Sequence, residues 1–79
     1  MRHAREDYNR IQDPAGLIPE NEPVFLLRGQ DILAPDLLRQ WANQLFNGGG
    51  DPIMAGMVRD WASEMELWQR KHKVKLPDL

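Results

Sequence analysis

Glu22-Pro23-Val24-Phe25-Leu26-Leu27-Arg28-Gly29-Gln30-Asp31, with Pro35 four residues further on, is the stretch that decides how this chain is organised. An apolar block of β-forming residues stops at Arg28, and Pro35 then opens a helical pattern. The spacing predicts one strand from Pro23 to Leu27 that delivers Arg28, Gln30 and Asp31 to a strand–helix corner, a place where ligand sites form. A lone strand cannot leave its backbone N–H and C=O groups unpaired. It is therefore expected to pair with the N-terminal arm or with another copy of the chain.

Working outward, Pro35 and Asp36 suit the first turn of a helix. Leu37, Leu38, Trp41, Ala42, Leu45 and Phe46 then recur with the spacing of one buried helical face. Asn47, Gly48, Gly49 and Gly50 end that helix. Asp51-Pro52 restarts the chain as a cap followed by proline. Met54, Val58, Trp61, Met65 and Trp68 form a second stripe, widened by Ile53, Met57 and Ala62. Gly56 interrupts this helix, which suggests close approach by another element. The short glycine connection predicts an antiparallel hairpin. With lengths of about 13 and about 21 residues, the second helix overshoots the first by roughly 10 Å. Met65 and Trp68 fall in or near that overshoot and need cover from the strand or from a second subunit.

Residues 1–22 are mostly polar and carry the turn signals Asp13-Pro14-Ala15-Gly16 and Pro19. They read as an irregular arm, with one helical turn around Ala4 to Asn9 and with Tyr8, Ile11, Leu17 and Ile18 as its apolar anchors. The expected architecture is mainly α within the α+β class. It comprises an extended arm (1–22), then one small domain (23–79) of a single short strand and an antiparallel two-helix hairpin.

Composition limits the chemistry. The 79 residues include no cysteine and two histidines, so no disulfide or thiolate metal site can staple the fold. A core this small gains most by self-association, and a homo-oligomer is expected. The net charge of −2 argues against a nucleic-acid partner. No run resembles a membrane span or a signal peptide, so a cytoplasmic protein is expected. Arg70, Lys71, His72, Lys73 and Lys75 read as complements to the end of the second helix.

Catalysis is poorly supplied. Ser63 is the only serine, threonine is absent, and neither histidine lies at local spacing to activate Ser63. Asp60 and Glu64 read as a solvated acidic face rather than a metal site, and the three glycines lack a phosphate loop's Lys-Ser/Thr. The sequence therefore predicts no enzyme, no metal and no cofactor. Arg28, Gln30 and Asp31 remain as ligand candidates. Arginine clamps phosphate, glutamine reads an amide or base edge, and aspartate accepts from a ribose hydroxyl or a base amine. The structural alternative is a turn capped by Asp31, with Arg28 paired to it or to another acid. Tyr8, Arg10 and Gln12 would join the site if the arm folds over the strand. Trp41, Trp61 and Trp68 lie on apolar stripes and read as core or interface.

The segments Asp7-Tyr8-Asn9-Arg10-Ile11-Gln12-Asp13-Pro14, Ile18-Pro19, Glu22-Pro23-Val24-Phe25 and Arg28-Gly29-Gln30-Asp31 resemble small uncharacterised accessory proteins of tailed phages and prophages. The resemblance covers the chain from the arm into the first helix. It implies a non-enzymatic protein acting by binding in the cytoplasm of a bacterial host. One mode is a homo-oligomer that sequesters a nucleotide-like signal of host defence. The other is a protein-binding module that inhibits or redirects a host protein.

Overall fold

A computed structural model describes residues 1–3 and 13–78. The expected helical turn around Ala4 to Asn9 lies outside them, as do Tyr8, Arg10 and Gln12. The described chain is mainly helical, with a short two-stranded parallel sheet. Strand β1 is Arg2–His3, β2 is Pro23–Val24, helix α1 is Ala34–Asn47 and helix α2 is Pro52–Lys71.

The sheet corrects the sequence reading in two ways. The strand ends at Val24 instead of Leu27, and it is not single: Arg2–His3 in the N-terminal arm, one of the two expected partners, forms a second strand parallel to it, with Arg2 beside Pro23 and His3 beside Val24. The Arg2 amide donates to the Glu22 carbonyl at 2.7 Å, and the Met1 ammonium donates to the Pro19 carbonyl at 2.6 Å. A parallel pair needs a crossover of about a dozen residues or more, which residues 4–22 supply. Past Val24 no described strand faces the chain, so the apolar composition of Phe25, Leu26 and Leu27 produces no further ladder. Within the arm, Asp13-Pro14-Ala15-Gly16 forms the turn its composition suggests. The Gly16 amide donates to the Asp13 carbonyl at 2.9 Å, and the Asp13 carboxylate accepts from the Leu17 and Ile18 amides.

Both helices begin and end where the cap residues place them. At the end of α1, Gly49 adopts φ +81°, the Gly50 amide reaches back to the Leu45 carbonyl at 2.8 Å, and the Gly49 amide reaches the Phe46 carbonyl at 3.1 Å. This paired arrangement satisfies carbonyls that a helix end otherwise leaves open. The Asp51 carboxylate accepts from the Ile53 amide at 2.9 Å and starts α2. At α1 the capping atom comes from further upstream. Asp31 Oδ1 accepts from the Leu33 amide at 2.8 Å, while Leu33 itself makes no side-chain cap.

The helices pack on part of the faces the apolar stripes suggest. Among the described residues, the buried apolar side chains of the core are Ala34, Ala42, Ala55 and Ala62, and no large side chain is fully buried. On α1, Leu38 and Leu45 flank Ala42 half-buried, as the stripe predicts, while Leu37, Trp41 and Phe46 are exposed. On α2, Ala62 of the predicted stripe is buried with Ala55 beside it, and Val58 and Met65 are half-buried, while Ile53, Met54, Met57, Trp61 and Trp68 are exposed. Polar bridges edge this contact. Arg59 donates to Asn43 at 2.9 Å and lies over the Phe46 ring, and Arg39 pairs with Glu66. Gly56 also departs from expectation: nothing lies within 4 Å of where its Cβ would be.

Two glycines should therefore respond in opposite directions. Gly49→Ala forces a left-handed residue to carry a Cβ and should cost about 1–2 kcal/mol. Gly56→Ala removes a helix-interior glycine with open space around it and should gain about 0.5–1 kcal/mol. Urea denaturation measures both; equal signs would contradict the packing described. Glu66 supplies a pH test. Its hydrogen bond from Arg39 holds the carboxyl below the usual carboxylate range, against partial desolvation, with the nearby charge of Arg39 and of Arg70 also lowering it. The folded chain thus releases this proton more readily than the unfolded chain. Its contribution is complete above the unfolded value of about 4.3 and is lost as pH falls through the lower folded value. The stability gap between wild type and Glu66→Gln should be flat near neutrality and close on acidification. A gap that widens in acid would reverse the assignment.

Candidate functional site

The turn after β2 is fixed by its backbone. The Asp31 amide donates to the Arg28 carbonyl at 3.0 Å, and the Ala34 amide donates to the Asp31 carbonyl at 3.1 Å. Helix α2 reaches this turn through its last two turns. Gln69 Nε2 donates to the carbonyls of both Gly29 and Asp31, each at 2.9 Å. Beyond α2 the chain returns along the same segment. The Lys75 amide donates to the Gln30 carbonyl at 3.0 Å, and the Ile32 amide donates to the Lys75 carbonyl at 3.1 Å. The overshooting end of α2 is thus tied to residues 29–31 through Gln69, and that segment is bridged in turn by Lys75. Gly29 lies against Trp68, with 3.7 Å between an added Cβ and the indole, ordinary contact distance.

Between the 27–30 segment and the second half of α2 lies an open groove of about 700 Å³. Arg28 and Gln30 line one wall; Trp61, Trp68, Lys71 and His72 line the other. Glu64 is its acidic member. The wall residues on α2 recur at helical spacing, so one face of the helix presents two indoles and a cation together. Trp68 and His72 stack with centroids 3.9 Å apart and planes within 9°. His72 Nδ1 is 2.8 Å from the Trp68 carbonyl. A carbonyl only accepts, so Nδ1 carries the proton and Nε2 is left for other partners.

The sequence-predicted residues separate here. Arg28 and Gln30 are brought together in the groove. Arg28 is exposed and forms no ion pair with any described residue. Asp31 does not line the groove: its carboxylate caps the turn at Leu33, and its backbone is held by Gln69 and Ala34. The half of the structural alternative concerning Asp31 therefore holds, and the half pairing it with Arg28 does not. Tyr8, Arg10 and Gln12 lie outside the described residues.

Trp61, Trp68, Lys71 and His72 were not expected in a site. The tryptophans read from the stripes as core or interface; Trp41, Trp61 and Trp68 are 47%, 63% and 41% exposed in the single chain, so they are not core. Their common spacing with Lys71 and His72 was the available signal. The basic cluster also divides: Lys71 and His72 line the groove, whereas Lys75 joins the bridge to Asp31 and pairs with Asp78. Among the described residues, no group of three or more histidines and acids could hold a metal ion. Ser63 Oγ donates to the Arg59 carbonyl at 3.3 Å.

Gln69 is the bolt between α2 and the Arg28 turn. Gln69→Ala should lower stability by about 1–2 kcal/mol and raise amide exchange at residues 29–34 more than elsewhere. Uniform exchange along the chain would show that the turn does not depend on it. No protein-family model, curated protein or solved structure matches the chain.

Proposed function

We propose that this chain is a non-catalytic binding protein that takes a nucleotide-like ligand in the groove between residues 27–30 and α2, and that it works as a homo-oligomer. The observation that carries the reading is Arg28, an arginine without an ion-pair partner among the described residues, set across the groove from Lys71 and two indole faces. The two cations suit phosphate, Arg28 by two-point contact and Lys71 as a point charge. The indoles offer stacking surfaces to a base, and Gln30 offers both a donor and an acceptor to its edge. In this reading α1 and α2 form an antiparallel hairpin that supports the groove. The reversed order of their cross-contacts, Asn43 with Arg59 and Arg39 with Glu66, supports it. The phage setting, with sequestration of a defence signal in the host cytoplasm, rests on the sequence resemblance alone.

A second reading, a module that binds and inhibits or redirects a host protein, is favoured by one observation: Ile53 and Met57 are exposed on the first turns of α2. Exposed apolar residues at helical spacing suit insertion into a partner's groove.

The test is equilibrium binding of a panel of mononucleotides and cyclic dinucleotides, by calorimetry, to wild type and Arg28→Ala. Saturable binding weakened at least about tenfold by Arg28→Ala is expected, the loss of about one charge-assisted hydrogen bond. Unchanged affinity would remove Arg28 from the site. No binding across the panel would transfer weight to the host-protein reading.

A further inference from the structure

We infer that the base of the ligand is guanine and that Glu64 reads it, at the part of α2 remote from Lys71. The inference rests on the nucleotide reading above and names the class of ligand within it.

On the α2 wall of the groove the charges are segregated. Glu64 and Lys71 share one face of the helix, and the step of seven residues between them spans roughly 10 Å along its axis. A carboxylate repels a phosphate placed beside it, so the phosphate belongs at the Lys71 end. Whatever meets Glu64 must then donate hydrogen bonds, because an ionised carboxylate only accepts them. Glu64 is exposed and makes no hydrogen bond or ion pair with a described residue, which leaves both of its oxygens open to a ligand. Asp60, one turn earlier and equally exposed, does not line the groove.

Trp61 precedes Glu64 by three residues, so the two are neighbours on the helix surface. It is the most exposed of the tryptophans, and among the described residues no ring stacks on it, whereas His72 covers one face of Trp68. A base laid on Trp61 has its edge beside the Glu64 carboxylate. The bases answer a carboxylate differently. Guanine carries a ring N–H next to an exocyclic amine, and this pair of donors meets both oxygens. Adenine and cytosine set one amine beside a bare ring nitrogen, whose lone pair faces the second oxygen. Uracil flanks its ring N–H with carbonyls on both sides. Guanine alone fits without a repulsive contact. A site built from hydrogen-bonding groups discriminates strongly, because the wrong ligand leaves those groups unpaired.

Calorimetry on the full chain tests this with guanine, hypoxanthine and adenine ligands, each as mononucleotide and as cyclic dinucleotide. Wild type should bind the guanine form at least about tenfold more tightly than the adenine form. The hypoxanthine form keeps the ring N–H but lacks the amine and should fall between them, a comparison that needs no variant to fold. Glu64→Gln is isosteric at an exposed helix position and should erase most of the preference by weakening guanine binding. Asp60→Asn removes the same charge outside the groove and should keep the preference. Arg28→Ala acts at the phosphate and should weaken all the ligands alike. Nucleotide binding without a guanine preference overturns the inference and leaves the nucleotide reading standing. So does a preference that Glu64→Gln leaves intact or that Asp60→Asn erodes equally. Binding of none of the ligands overturns both.

Discussion

Two helices that meet on alanine can approach closely, but they gain little apolar burial for each residue they order. That trade governs this protein. With Ala42 on one helix and Ala55 and Ala62 on the other at the contact, the large side chains flank it or point away. Burying an alanine methyl removes far less apolar surface than burying a leucine or tryptophan, and the hydrophobic gain scales with that area. The molecule is a slab, 19 Å through its thinnest direction, and a radius of gyration of 14.1 Å exceeds the roughly 12 Å expected for its length. Among the described residues, two packed helices with a short flanking sheet bury no large side chain fully, and all three tryptophans stay partly exposed.

The same seam explains why polar contacts do so much of the positioning. Arg39 with Glu66 and Arg59 with Asn43 set the helices against each other along their edges, and Gln69 ties α2 to the turn that carries Arg28. Each is partly exposed and singly modest in energy. Their value is geometric: the two arginine contacts set α1 against α2, and Gln69 joins the two walls of the groove. Asp31 illustrates how closely fold and site are joined. Its carboxylate accepts from the Leu33 amide just ahead of α1, and its carbonyl is one of the two that Gln69 grips, so a residue that sequence alone offers as a ligand contact is committed to building the corner beside the groove.

Where the chemistry is local, the sequence is a reliable guide. Pro35, the glycine run and Asp51-Pro52 act within a turn or two of themselves, and the helix ends fall at those residues. Asp13-Pro14-Ala15-Gly16 turns for the same reason. Long-range relations were not legible. Nothing near Pro23 indicates Arg2 as its partner, and nothing near Lys75 indicates a bridge to Asp31. Stripe reading weights large residues, and here small ones mark the contact: Ala42 and Ala62 lie within the expected stripes and Ala55 beside one, while most of the large stripe residues are exposed. The same weighting hides the groove, because Trp61 and Trp68 read as core or interface. Arg28 and Gln30 stand out in the sequence as a polar pair ending an apolar run, and the structure places both along the groove.

The central proposal is that this chain, whose buried apolar side chains among the described residues are all alanines, works as a homo-oligomer. Small-angle X-ray scattering tests it most directly, since forward intensity gives mass and the low-angle slope gives size. The account predicts a multiple of 9.2 kDa with a radius of gyration clearly above 14.1 Å. A particle of 9.2 kDa with a radius of 14.1 Å, unchanged on concentration, would contradict it.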